Sequence, residues 1–192
     1  PTTTGILIDG NRYEALKRFV YDRQPDGDAG LDTRFDVWFQ SSSEYSNYDF
    51  TKFLEPAKRQ GLGNAYYPEI PIMRLSEIYY IACEAQIGKD NALALQYLND
   101  VRDNRNLSLI QTVPDDATLL EYLVREMRKD FIGDGRTFLM HKRLFYDIYT
   151  VRGETVPASD NIFVIPIPDD EYEFSGIEKP GNTTDNNQSE LL

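Results

Sequence analysis

Residues 70–149 repeat one instruction four times: apolar side chains return every three or four positions, then turn-forming residues break the run. In the first segment Ile72, Leu75, Tyr79, Ala82 and Gln86 fall near one face, with Arg74, Glu77 and Glu84 on another. Pro71 suits its first turn and Gly88 its stop. Asp90 can cap the second segment, where Leu95, Leu98 and Val101 recur, and the short link predicts an antiparallel hairpin. The third carries Leu120, Leu123, Val124, Met127 and Phe131. Pro114, Asp115 and Asp116 precede it, Thr118-x-x-Glu121 offers an alternative capping box, and Gly133-Asp134-Gly135 ends it. The fourth is expected from Arg136 to about Tyr149, packing Phe138, Leu139, Phe145 and Ile148.

The flanks obey other rules. Ile6 to Ile8 form a short apolar run, and Tyr13 to Tyr21 is amphipathic, with Tyr13, Leu16, Phe19 and Val20 at helical spacing. Residues 36–68 are aromatic and irregular, reading as short strands and long loops. Prolines at 166 and 168 forbid helix, so Asn161 to Pro168 is expected to be extended, with Asp169 to Glu173 starting a turn. The expected fold is mainly α: packed helix hairpins, long aromatic loops and a short extended C-terminal segment. One domain would span 1–175, made of an irregular front section (1–68), a four-helix region (69–150) and a return segment (151–175); 176–192 is a tail.

Composition excludes several classes. A net charge of −12 argues against nucleic acid, whose phosphates would be repelled. No run reaches the roughly 20 apolar residues of a membrane-spanning helix. The single cysteine, Cys83, has no internal disulfide partner and reads as a packed thiol. The single histidine, His141, leaves little for a zinc site or a triad. With Lys142 and Arg143 beside it, it reads as surface or supporting packing. Asp22, Asp26, Asp28 and Asp32 make an oxygen-rich loop, but without the spacing of an EF-hand, so a solvated turn is the reading. With 32 Asp and Glu residues, some carboxylate pair is inevitable and no spacing marks a glycosidase. No metal, no cofactor and no catalytic residue is expected. Arg74, Glu77, Glu84, Arg102 and Arg128 are expected to pair as structural ions, since a buried unpaired charge is costly.

Four blocks resemble the SusD/RagB-like family of nutrient-binding outer-membrane lipoproteins. They are Ile70 to Ala85, with Pro71, Arg74, Glu77 and Glu84; Ala94 to Arg102, with Asn99; Glu126 to Phe131, with Arg128, followed by Gly133-Asp134-Gly135 and Lys142-Arg143; and Phe163 to Glu171, with Pro166 and Pro168. Asp32-Thr33-Arg34-Phe35 and Lys52-Phe53 form a fainter upstream match. Met127 stands where the family has an arginine, and Met140 where an aspartate is common. The resemblance runs over about residues 32–173, the family's back half, and implies a C-terminal portion of a longer lipoprotein whose N-terminal half and lipidated cysteine lie elsewhere. It implies a non-catalytic, cell-surface glycan- or nutrient-binding protein at the outer membrane, working with a SusC-like TonB-dependent transporter.

Within that frame, Trp38, Tyr45, Tyr48, Tyr66 and Tyr67 are the candidate glycan contacts. Aromatic faces cover the C–H face of a sugar ring, and Gln40, Asn47, Asp49 and Asn64 can meet its hydroxyls. The same aromatics can instead form a small core beneath the loops. Two other roles are open: a helical scaffold that docks the transporter without its own sugar site, and, more distantly, a glycosidase.

Overall fold

The computed structural model describes residues 6–21, 32–41, 47–53 and 73–174. Mainly helical architecture is what it shows. The chain divides into compact units Pro1–Pro157 and Ala158–Leu192, described separately below.

In the first unit, β1 (Ile6–Ile8) leads into α1 (Gly10–Leu16), capped where the Asp9 side chain accepts from Arg12 N. The helix widens into a π-turn at Lys17–Tyr21, which buries Val20 and Tyr21. Asp32 then caps α2 (Thr33–Trp38), a short helix that runs into the stretch, 36–68, read from sequence as strand and loop. Six residues are too few for a periodic signal to emerge. β2 (Phe39–Ser41) and β3 (Tyr48–Phe50) complete an antiparallel sheet of order β1-β3-β2. Phe39 sits opposite Phe50, and these two pack with Val20, Tyr21 and Phe35 as a small aromatic core.

α3 (Leu75–Gln86) and α4 (Asn91–Asp103) form the expected hairpin. Gly88 turns the link at φ +77°, a value that disfavours side chains, and the Asp90 carboxylate accepts from Leu93 N. α3 begins after Arg74, and Pro71 lies outside the described residues. α5 (Asp116–Asp130) is capped by Asp115, which accepts from Thr118 N; Glu121 pairs with Arg125 and so forms no capping box. α6 (Arg136–Leu144) stops at Phe145, which takes a left-handed conformation, so Ile148 joins a two-residue strand, β4 (Ile148–Tyr149), paired with β5 (Thr155–Val156). That is shorter than the helix expected to reach Tyr149.

The main core gathers Tyr80 and Cys83 from α3, Leu95, Leu98 and Val101 from α4, and Leu119, Leu123, Val124 and Met127 from α5. Two faces differ from expectation. On α3, Leu75 is 73% exposed while Tyr80 and Cys83 are buried. On α6, Phe138 and Leu139 are exposed, as is Phe145 at its C-cap, while Met140 and His141 are buried. Both helices carry apolar residues on more than one side, so periodicity leaves their rotation open. Core packing of Tyr80, Cys83 and Met140 selects the buried sides, and at the seam Glu77 bonds Arg136 and Glu84 bonds Arg143. The equal sequence offset of these pairs makes α3 and α6 run side by side in the same direction.

In the second unit, α7 (Asp160–Phe163) and α8 (Asp169–Phe174) are joined by 164–168, which form no helix or strand. Asn161 to Phe163 is thus helical, not extended. Pro166 restricts itself and Ile165, and its reach stops short of Phe163. Pro166, Pro168 and Glu171 are exposed.

Candidate functional site

Among the described residues, the densest cluster of charges is buried. Arg34, on α2, donates to Asp32 Oδ1 (2.9 Å) and Oδ2 (2.6 Å), to Glu126 Oε2 (2.8 Å) and to Asp130 Oδ1 (2.8 Å). On its other oxygen Glu126 receives Lys129 Nζ at 2.7 Å and Arg102 Nη1 at 3.2 Å. Arg102 also donates from Nε and Nη2 to the Ser108 carbonyl. Tyr80 Oη donates to Asp130 Oδ2 (2.9 Å) and Tyr21 Oη to the Lys129 carbonyl (3.1 Å). The formal charges of Asp32, Glu126 and Asp130 cancel those of Arg34, Arg102 and Lys129. Burial by itself would raise the Glu126 carboxyl, but Lys129, Arg34 and Arg102 hold it well below the usual carboxylate range. Arg34 and Arg105 do the same for Asp130 against its burial. Glu126 and Asp130 are therefore locked as anions and sealed from solvent, which disqualifies them as an acid/base pair for glycoside hydrolysis.

A second polar shell lies against the first. Lys52 Nζ donates to the carbonyls of Asp130 and Ile132 and pairs with Asp134 at 3.0 Å. Its pKa falls to about 8 because burial outweighs Asp134. Arg74 grips the same Asp134 through both oxygens, at 2.6 and 3.2 Å. Gly133 and Gly135, both at positive φ, turn the backbone so that Asp134 meets both cations.

Lys52 also ties this framework to the aromatic front section. Its ammonium sits 4.7 Å from the centroid of Trp38, a cation–π contact that covers one face of the indole. Trp38 is half-buried. Tyr48 shares the sheet face of Phe50 and lies flat on Tyr13, rings 3.5 Å apart and 5° from parallel. Tyr13 in turn packs on Phe35 and Phe39. Trp38 stands beside Thr51, whose N–H donates to its carbonyl, whereas Tyr48 stands opposite Ser41 at the other end of the ribbon. The structure does not bring these two rings into contact, and each has one face taken by a neighbour. Tyr45, Tyr66 and Tyr67 lie outside the described residues.

The sequence profile of the SusD family matches residues 8–188. The chain belongs to the SusD family. Among curated proteins and among solved structures, no match is found. SusD-family proteins are non-catalytic, nutrient- or glycan-binding components associated with the outer membrane. No helix among the described residues is long and apolar enough to cross a membrane, and no group of three His, Cys, Asp or Glu side chains among them is placed for a metal ion.

Seven of the motif residues, Arg74, Glu77, Glu84, Asn99, Arg102, Glu126 and Arg128, are engaged in ion pairs or hydrogen bonds. Arg74, Glu77 and Glu84 are all ion-paired, but to Asp134, Arg136 and Arg143 rather than to one another. Arg102 pairs with Glu126, and Arg128 donates to the Tyr149 carbonyl at 2.6 Å. Asn99 uses both ends of its amide on Ile110, donating to its carbonyl and accepting from its N–H, each at 3.0 Å. Asp32 is not part of a solvated loop: it is buried in the cluster, while Asp22, Asp26 and Asp28 lie outside the described residues. His141 is fully buried rather than on the surface. Its Nδ1 faces the Tyr146 carbonyl at 3.3 Å and its Nε2 has no partner among the described residues. Burial first, then Arg128, pushes its pKa down, rather than the neighbouring Lys142 and Arg143, which point outward.

Sequence reasoning missed Arg34, Lys129, Asp130 and Tyr80 as a unit. The available signal was the faint upstream match: Asp32, Arg34 and Lys52 are the residues that the front section contributes to the charged framework.

Proposed function

We propose that this chain is part of a non-catalytic, surface-exposed outer-membrane lipoprotein that captures oligosaccharide and hands it to a SusC-like TonB-dependent transporter. The family match over residues 8–188 carries this reading. The contact would be made by Trp38, Tyr45, Tyr48, Tyr66 and Tyr67. Lys52 fixes the indole from one side and leaves the rest of its half-exposed surface for a sugar ring. Stacking would supply area, and hydroxyl-bearing or amide side chains nearby would supply orientation. No proton transfer or nucleophile is needed.

The test is binding of the chain to a panel of plant, host and microbial glycans, with Trp38→Ala as comparison. Binding by the native chain and its loss in the variant support the reading. A blank panel removes it, and undiminished binding by Trp38→Ala moves the contact elsewhere.

A second reading, a helical scaffold that docks the transporter with no sugar site, is favoured by one observation. Ile78 and Ile81 on α3 and Phe138 and Leu139 on α6 are exposed, with the Glu77–Arg136 and Glu84–Arg143 pairs at the seam between the helices. A blank glycan panel together with loss of transporter binding in Ile81→Glu would select it.

A further inference from the structure

The three N–H groups of the Lys52 ammonium go to the carbonyls of Asp130 and Ile132 and to the Asp134 carboxylate at 3.0 Å. The rings of Trp38 and Phe53 lie 4.7 and 5.5 Å away, and Phe53 closes on Gly133, where an added methyl would come within 3.0 Å of it. Charge around this ammonium does not balance. Arg74 already grips both oxygens of Asp134, and Asp130 lends Lys52 its carbonyl while its carboxylate is met by Arg34 and Tyr80. Two cations therefore share one carboxylate, and of the two only lysine can release a proton. With the Lys52 side chain 2% exposed, burial and Arg74 outweigh Asp134 and the more distant Asp130 charge, and the pKa falls to about 8. The Trp38 backbone is held by other groups: its carbonyl accepts from the Thr51 N–H at 2.8 Å and from Thr51 Oγ1 at 3.4 Å.

We infer that Lys52 is a latch: as an ammonium it ties the Trp38 ring to the Gly133-Asp134-Gly135 turn, and loss of its charge frees the ring while the backbone beneath stays in place. A neutral amine keeps hydrogen bonds to the carbonyls but has no electrostatic attraction for the face of the indole. Release changes how Trp38 is presented and does not weaken the fold. In the unfolded chain the lysine keeps its proton to about pH 10.4, so losing it near pH 8 favours the folded state. Lys52 and Asp134 are thus positioning residues for Trp38, and neither has to touch a ligand. As regulation of a ligand contact, the latch rests on the reading of Trp38 given above. As a link between turn and ring, it stands on these distances alone.

Trp38 is the single tryptophan, so its emission reports the latch directly. The full chain is titrated from about pH 5.5 to about pH 9.5, below ordinary tyrosine ionisation. Emission should change in one step with its midpoint near pH 8. Quenching by acrylamide should rise over the same step, with far-UV circular dichroism unchanged. Lys52→Met should abolish the step and emit at every pH as the native chain does at its alkaline end. Asp134→Asn should lower the midpoint by about one unit or more, and Arg74→Gln should raise it, opposite shifts that a purely structural role would not produce. A flat native profile overturns the inference, and needs no variant to fold. So does a step that survives in Lys52→Met, or an emission change with unchanged acrylamide quenching, which would mean that the ring senses the charge without being held by it. A blank glycan panel removes only the Trp38 reading; a flat emission profile removes only the latch.

Discussion

Arg34 Nη2 lies 2.8 Å from Glu126 Oε2 although 92 residues of chain separate them, and both side chains are almost fully buried. That bond joins the aromatic front section to the longest helix of the main core. It does so with charge, where most domains use hydrocarbon. The arrangement holds because every oxygen of Glu126 is met and every donor group of Arg34 is used, so desolvation is compensated inside the cluster.

Removing one member should therefore be costly. Arg34→Met strands Asp32, Glu126 and Asp130 against too few cations and is expected to destabilise by about 3–5 kcal/mol. Urea unfolding reads this as a lowered midpoint at unchanged slope. A loss under about 1 kcal/mol would mean that water reaches the cluster.

Acid should weaken the fold in two stages. His141 is held below its ordinary pKa, so the unfolded chain takes up that proton first and stability falls as pH drops below about 6.5. Glu126 and Asp130 are also held low; their contribution is complete above the ordinary carboxylate range and is lost as pH falls through it. Melting temperature measured from pH 7.5 down to 3.5 should fall first gently, then steeply. His141→Asn should remove the first stage only. A flat profile down to pH 5 contradicts the buried placement of His141.

Gly133 and Gly135 make an internal control. Both have positive φ, but a methyl on Gly133 would approach Phe50 Cε1 to 2.8 Å, whereas one on Gly135 meets nothing within 4 Å. Gly135→Ala should cost about 1–2 kcal/mol from backbone strain alone, and Gly133→Ala distinctly more. Equal losses by thermal denaturation would show that the Phe50 contact yields freely.

Cys83 is packed in the core, where burial raises its thiol pKa to about 12. A thiol-reactive chromophore should label the native chain only as fast as it unfolds, and promptly in denaturant. Rapid native labelling would place Cys83 at the surface.

The local rules of the chain were sufficient for much of this. Periodicity located α3 to α6, Asp90 and Asp115 announced their caps, and Gly88 and Gly133 to Gly135 announced the breaks, because each depends on residues within one or two turns. The aromatic front section was legible as composition, yet α2 was too short to show a period. Only tertiary structure decided which side of α3 and α6 is buried, since that depends on Tyr80, Cys83 and Met140 meeting one core with Leu98, Leu123 and Met127. It also decided the partners of Arg34, Arg74 and Glu126. A sequence states that a charge exists. Which opposite charge it meets is settled by the fold that brings the two together, because Coulomb attraction and desolvation act through space and carry no memory of chain distance.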